Sequence, residues 1–150
     1  FSRLIKITPD YNCIVSSDME QLCASTILRC RPFGSLAVIL CHRFRNVTKT
    51  VLNTNRAIAF LVSDVLIINI YLPCSTVRDY KELTLAIMAN LDEVCISTSY
   101  KTIIICGDFN SNLEVDSWSS KEILKFMNRW KLNNCDCKWP EQILHITMIR

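Results

Sequence analysis

Thr102-Ile103-Ile104-Ile105-Cys106-Gly107-Asp108-Phe109-Asn110 decides the fold, because an apolar run stops there abruptly on a glycine, an acid and an amide. The β-favouring run suits a core strand and is too short for a helix. Gly107 removes side-chain bulk at the exit, so another group can approach the backbone. With the extended conformation continuing, Asp108 and Asn110 share one face and Phe109 turns the other way into packing. An acid and an amide in one small space suit water activation and phosphate contact, since a carboxylate accepts a proton and an amide NH2 donates to an anionic oxygen. Gly-Asp-x-Asn after a strand is also ordinary turn chemistry. The local residues leave both readings open.

Working outward, residues 78–97 carry Leu83, Ile87, Leu91, Val94 and Cys95 at helical spacing, opened by a capping pattern from Thr76 to Asp79. On the other side, Ser119-Ser120-Lys121-Glu122 is a second capping pattern, followed by Ile123, Phe126, Met127 and Trp130 at the spacing of an amphipathic helix. Residues 36–41, 47–52, 56–62 and 65–71 read as strands. Their short polar connections, Asn53-Thr54-Asn55 and Ser63-Asp64, imply antiparallel hairpins. The strand 65–71 is apolar on both faces and therefore expected to be buried on both, with Asn69 and Tyr71 interrupting one. A buried amide without a partner costs about 1–3 kcal/mol, so these two belong either to a structural network or to a polar site. Pro73 ends the strand. Residues 1–33 read as mostly irregular, and 143–149 as the start of another strand. Strands followed by helix, strand and helix argue against a regular Rossmann layout and for an α+β sandwich.

The chain has 150 residues, half of them apolar, enough to bury a core. We expect one domain or part of one over 1–150, because the sequence begins at Phe1 and ends at Arg150 without clear terminal signals. No apolar run approaches the roughly 20 residues of a membrane span, so no membrane partner is expected. Nine cysteines, an odd number with Cys41 and Cys106 inside apolar runs, read as buried small hydrophobes in a reducing compartment. Nucleus or cytoplasm is the expected location. Cys135, Cys137 and His145 have no familiar zinc spacing. The net charge of +3 is uneven: residues 1–56 carry eight basic and three acidic side chains (+5), 57–98 two and five (−3), 99–150 seven and six (+1). Arg29, Arg31, Arg43, Arg45, Lys49 and Arg56 can line a phosphate backbone or form a solvated face.

Three motifs in order, Arg31-Pro32-Phe33-Gly34-Ser35-Leu36, Asn69-Ile70-Tyr71-Leu72-Pro73 and Cys106-Gly107-Asp108-Phe109-Asn110, resemble the endonuclease/exonuclease/phosphatase superfamily. More narrowly, the chain is similar to the apurinic-type endonuclease domain of non-LTR (LINE-like) retrotransposons. The resemblance implies an α+β fold, a layered α/β sandwich of two β-sheets flanked by helices, truncated here at both ends. It implies DNA nicking by phosphodiester hydrolysis with Mg2+ or Mn2+. Asp108 would then orient or deprotonate water and supply an incomplete metal set, Asn110 would hold the scissile phosphate, and Tyr71 would reach the same phosphate. Arg31, Arg43 and Arg45 would contact DNA, and a reverse transcriptase domain in the parent chain would be a partner. The departures are as informative. The family's metal-binding glutamate would precede Phe1, and its Asp-His pair would follow Arg150. Neither His42 nor His145 stands in for that histidine, and Cys30 and Ser35 replace usual glycines. Asp108 alone is a poor magnesium cage. The chain alone is therefore expected to be inactive, with apolar edges where strands are missing. A phosphatase acting on a phospholipid or inositol phosphate, and a non-catalytic nucleic-acid-binding remnant, are the alternatives.

Overall fold

The computed structural model describes residues 11–17, 35–135 and 148–149. Two strands, β1 (Tyr11–Ser17) and β2 (Ser35–Cys41), pair antiparallel along their whole length. A 3-10 helix, His42–Val47, leads from β2 into β3 (Thr48–Asn53). The other strands are β4 (Ala57–Val62), β5 (Val65–Tyr71), β6 (Thr102–Asp108), β7 (Asn133–Asn134) and β8 (Met148–Ile149). They form a second sheet in the order β3-β4-β5-β6-β8-β7. Helix α1 (Tyr80–Ser97) joins β5 to β6, and α2 (Trp118–Trp130) follows β6. This is the expected α+β layered sandwich. No helix among the described residues is long and apolar enough to cross a membrane.

The turn between β4 and β5 sets the position of everything that follows. Ser63 takes φ 56°, the left-handed value that lets two residues reverse the chain. The carbonyl oxygen of Asp64 then accepts the backbone N–H groups of Lys101 (2.8 Å) and Thr102 (3.3 Å). Its carboxylate pairs with Lys101 Nζ at 2.7 Å. That ion pair holds the Asp64 carboxyl below its ordinary range, chiefly through the Lys101 hydrogen bond, and the Lys101 ammonium above its own. So pinned, β6 starts level with β5 and runs parallel to it, from Val65 opposite Thr102 to Tyr71 opposite Asp108. Strands that start level end level.

The large sheet is covered differently on its two faces. Leu66, Ile68 and Ile70 of β5 and Ile103 and Ile105 of β6 are buried in one cluster with Ile87, Leu91 and Val94 of α1 and Ile123, Phe126 and Met127 of α2. Each such side chain contributes about 1.5–3 kcal/mol by leaving water. On the opposite face Ile58 and Phe60 of β4 meet Leu36 of β2, with Val38, Leu40 and Ile67 partly buried against them. Burial on β5 therefore alternates. Val65, Ile67, Asn69 and Tyr71 are only half-buried, because the two-stranded sheet covers less than two helices do.

Several local expectations are corrected. Residues 11–17, taken as irregular, form β1; their apolar residues Ile14 and Val15 are adjacent and give no alternation. The capping pattern at Thr76 is not used: helix α1 starts after Asp79, without a side-chain cap, and the Thr76 hydroxyl instead meets Cys74 Sγ at 2.9 Å. Leu83 is exposed, and Thr84 takes the buried position, its hydroxyl donating to the Tyr80 carbonyl at 2.7 Å. Helix α2 is capped two residues earlier than expected, by Ser117, whose Oγ accepts from Ser120 N. Cys41 and Cys106 are half-buried rather than core, whereas burial pushes the fully packed Cys95 thiol up to about 11. Of the expected strand 143–149, Met148–Ile149 is a strand. Residues 143–147 lie outside the described residues, as do Arg31, Cys137 and His145.

Candidate active site

The site forms where β5 and β6 end together. Tyr71 and Asp108 are direct neighbours across the parallel pairing, and Leu72 N–H donates to the Asp108 carbonyl at 2.9 Å. Gly107 makes this closeness possible: its φ is +130°, and a Cβ there would lie 1.9 Å from the Ile70 carbonyl oxygen. The backbone approach read from the glycine is thus an approach by β5 itself.

The chain does not stay extended past the glycine. Asn110 adopts φ 47°, and its backbone N–H donates to Asp108 Oδ1 at 2.9 Å, closing an Asx turn. Its side-chain Nδ2 donates to the Leu72 carbonyl at 2.7 Å. The shared face expected for Asp108 and Asn110 is therefore replaced by a turn in which Asn110 holds the carboxylate and ties the two loops together. Phe109 is buried, as expected. Replacing Asn110 by alanine is expected to cost about 2 kcal/mol, from the lost hydrogen bond and the left-handed backbone. Glycine should recover the backbone part and cost about 1 kcal/mol. Urea denaturation of both variants measures this, and equal losses would contradict the backbone contribution.

Between β2 and the large sheet lies a cavity of about 510 Å³. Its polar lining includes Asn69, Tyr71 and Asp108, with Cys106 and Gly107 between them. Leu36, Val38, Phe60 and Ile67 make the apolar wall. Tyr71 and Asp108 are thus brought together, while Asn110 is not among the lining residues. Asn69 Nδ2 reaches the Ala37 carbonyl of β2 at a long 3.5 Å, a structural link between the two sheets. Cys106 Sγ donates to the Ile68 carbonyl, and burial raises its thiol pKa. Arg56, named from the sequence only as one of six cations, is placed beside Tyr71. Its guanidinium lies 5.1 Å from the centre of the Tyr71 ring, while Tyr71 N–H donates to the Arg56 carbonyl at 2.9 Å. Counting back along the hairpin from Val62 opposite Val65 puts Arg56 opposite Tyr71, so turn length was the signal that could have found it. Arg43 is exposed beside the Phe44 ring, its guanidinium 4.8 Å from the ring centre, and Arg45 sits in the 3-10 helix.

The described residues do not by themselves fit a metal ion. No group of three or more His, Cys, Asp or Glu side chains converges among them, and Asp108 is the one carboxylate in the cavity lining. Hard divalent cations need more oxygen ligands than that.

Two layered sheets with helices packed on one outer face match the fold of two solved structures of endonuclease/exonuclease/phosphatase type. The chain is similar to the endonuclease domain of TRAS1, a telomere-specific non-LTR retrotransposon, with a TM-score of 0.60 and 12% identity, covering 96% of this chain and 67% of that one. It is also similar to the human Nocturnin catalytic domain with bound sulfate anion, with a TM-score of 0.57 and 17% identity, covering 99% of this chain and 61% of that one. At these identities the likeness shows the fold alone. No protein-family model matches the sequence, and no curated protein matches it.

Proposed function

We propose that this chain is part of a phosphodiester-cleaving nuclease domain that nicks DNA, of the kind found in non-LTR retrotransposons. The observation that carries it is the pairing of Tyr71 with Asp108 at the mouth of one cavity. A carboxylate held by a backbone N–H presents its remaining lone pairs to a water proton. A phenol beside it donates to a phosphoryl oxygen, and Arg56 brings positive charge to the same corner. In this reading Asn110 is a positioning residue that orients Asp108, and Arg43 and Arg45 serve the nucleic-acid backbone. The described chain supplies one carboxylate. Metal ligands and the leaving-group acid then have to come from outside these residues, which accords with the TRAS1 domain being longer than this chain. By itself the chain is inactive.

Nicking of supercoiled plasmid in magnesium tests this, with the folded chain run beside a form extended by the flanking segments of its parent sequence, each with an EDTA control. The chain alone should leave the plasmid closed, and the extended form should nick it in an EDTA-sensitive way. Nicking by the chain alone would overturn its inactivity. An extended, folded form that leaves the plasmid closed would overturn the nuclease reading.

A further inference from the structure

The first residues of α1 and α2 meet at the end of the sheet where β5 and β6 stop. Tyr80 and Trp118 pack edge to face, with ring centroids 5.7 Å apart and planes at 88°. Lys81 Nζ lies 5.6 Å from the Trp118 ring centre and 6.0 Å from that of Tyr80. Both rings are partly exposed and Lys81 is exposed. Among the described residues Lys81 has no carboxylate partner, whereas Lys101, Lys121, Lys125 and Arg129 each have one.

This cluster is tied to the site by short, fixed connections. The buried Ser120 hydroxyl donates to the Asn112 carbonyl at 2.9 Å and meets Ser111 Oγ at 3.3 Å, so the start of α2 is fastened to the residues just past Asn110. Asn110 is in turn fastened to Leu72, on the loop that leads to Tyr80. The two helices are already clamped at their other ends, where Asp92 accepts from Trp130 Nε1 at 2.7 Å and from Arg129. A further clamp has no use for an ammonium without a counter-charge beside partly exposed rings.

We propose that Tyr80, Lys81 and Trp118 form a stacking platform for one unpaired base of the DNA strand whose backbone crosses Asp108. The inference rests on the nuclease reading and extends it. An aromatic face accepts any base, since every base has a π-face, and the Lys81 ammonium meets the adjoining phosphate. Nearby charges are mixed: Arg78 is followed by Asp79 and Glu82, and Asp116 is paired with Lys121 at 2.8 Å. Stacking, rather than bulk charge, therefore carries the selectivity. None of the three residues lines the Tyr71 and Asp108 cavity, so the platform selects the state of the neighbouring nucleotide without taking part in the chemistry.

Fluorescence anisotropy with a short labelled thymidine strand, and with an abasic strand of the same length and charge, tests the platform. The chain should bind the base-bearing strand roughly 5- to 100-fold more tightly. Trp118→Leu, which keeps bulk and removes the ring, should erase that ratio. Lys81→Ala, at an exposed position, should keep the ratio and reduce the salt slope of binding by about one ion. Equal affinity of the unmodified chain for both strands, or a ratio unchanged by Trp118→Leu in a variant that still melts cooperatively, would overturn the platform and leave the nuclease reading standing. Binding to neither strand at low salt would overturn the platform, while the nuclease reading is decided by the plasmid test on the extended form.

Discussion

Gly107→Ala should unfold the end of the sheet, with a loss on the order of 3–5 kcal/mol and a melting temperature lowered by roughly 10 °C. Two effects add. The backbone at this position has φ +130°, outside the range an L side chain adopts without strain. The added methyl would also stand 1.9 Å from the Ile70 carbonyl oxygen and 2.8 Å from its nitrogen. Those are main-chain atoms of the central strand β5, buried on the helix face, so they cannot turn aside as a flexible side chain would. Relief requires β5 and β6 to separate where Tyr71 and Asp108 must stay adjacent. Thermal melts read by circular dichroism measure the loss, and a variant melting within a few degrees of the parent would show that the strands yield more easily than their burial implies. For contrast, Ala37 is exposed on β2, and its replacement by serine should change stability by less than about 0.5 kcal/mol.

Strands β3, β4 and β5 were legible because their apolar runs are separated by short polar turns that admit little besides a hairpin, whereas the two-residue β7 is polar and gave no strand signal. Residues 65–71 and the start at Thr102 were read with the bounds the structure has. Helix starts were less legible. Ser, Thr and Asp recur at capping intervals in both segments, and which one caps depends on tertiary contacts: Ser120 is drawn inward to the Asn112 carbonyl, so Ser117 is left to cap. Strand β1 was missed because its pairing with β2 spans 17 intervening positions, between Ser17 and Ser35, and leaves no local trace. At the site, Tyr71 and Asp108 were legible as residue types, but their register was not. It depends on the Asp64 carbonyl capturing Lys101 and Thr102 across the sheet end. Asn110 shows the limit most clearly. Its amide was read as sharing one face with the Asp108 carboxylate, whereas one of its N–H groups donates to the Leu72 carbonyl because the chain turns after Asp108 instead of running on.

Because Asp108 accepts a hydrogen bond that closes a turn, the turn reading and the catalytic reading both require this residue, and substitution by alanine cannot separate them. Asp108→Asn can. An asparagine Oδ1 still accepts the Asn110 N–H, which is 2.9 Å away, so the turn survives and the melting temperature should stay within a few degrees. The amide cannot take a proton from water, so the nicking proposed for the extended form should fall by about 10²- to 10⁴-fold. Asp108→Ala should show the same rate loss plus about 1 kcal/mol of destabilisation from the opened turn. The decisive comparison is therefore between the two variants rather than between either one and the parent. Rates lost equally, with stability lost only in alanine, assign the carboxylate to chemistry and its hydrogen bond to architecture. An Asp108→Asn form that nicks plasmid at the parental rate would reduce the residue to its turn, and Tyr71 with Asn69 would then be the polar lining left to explain the cavity.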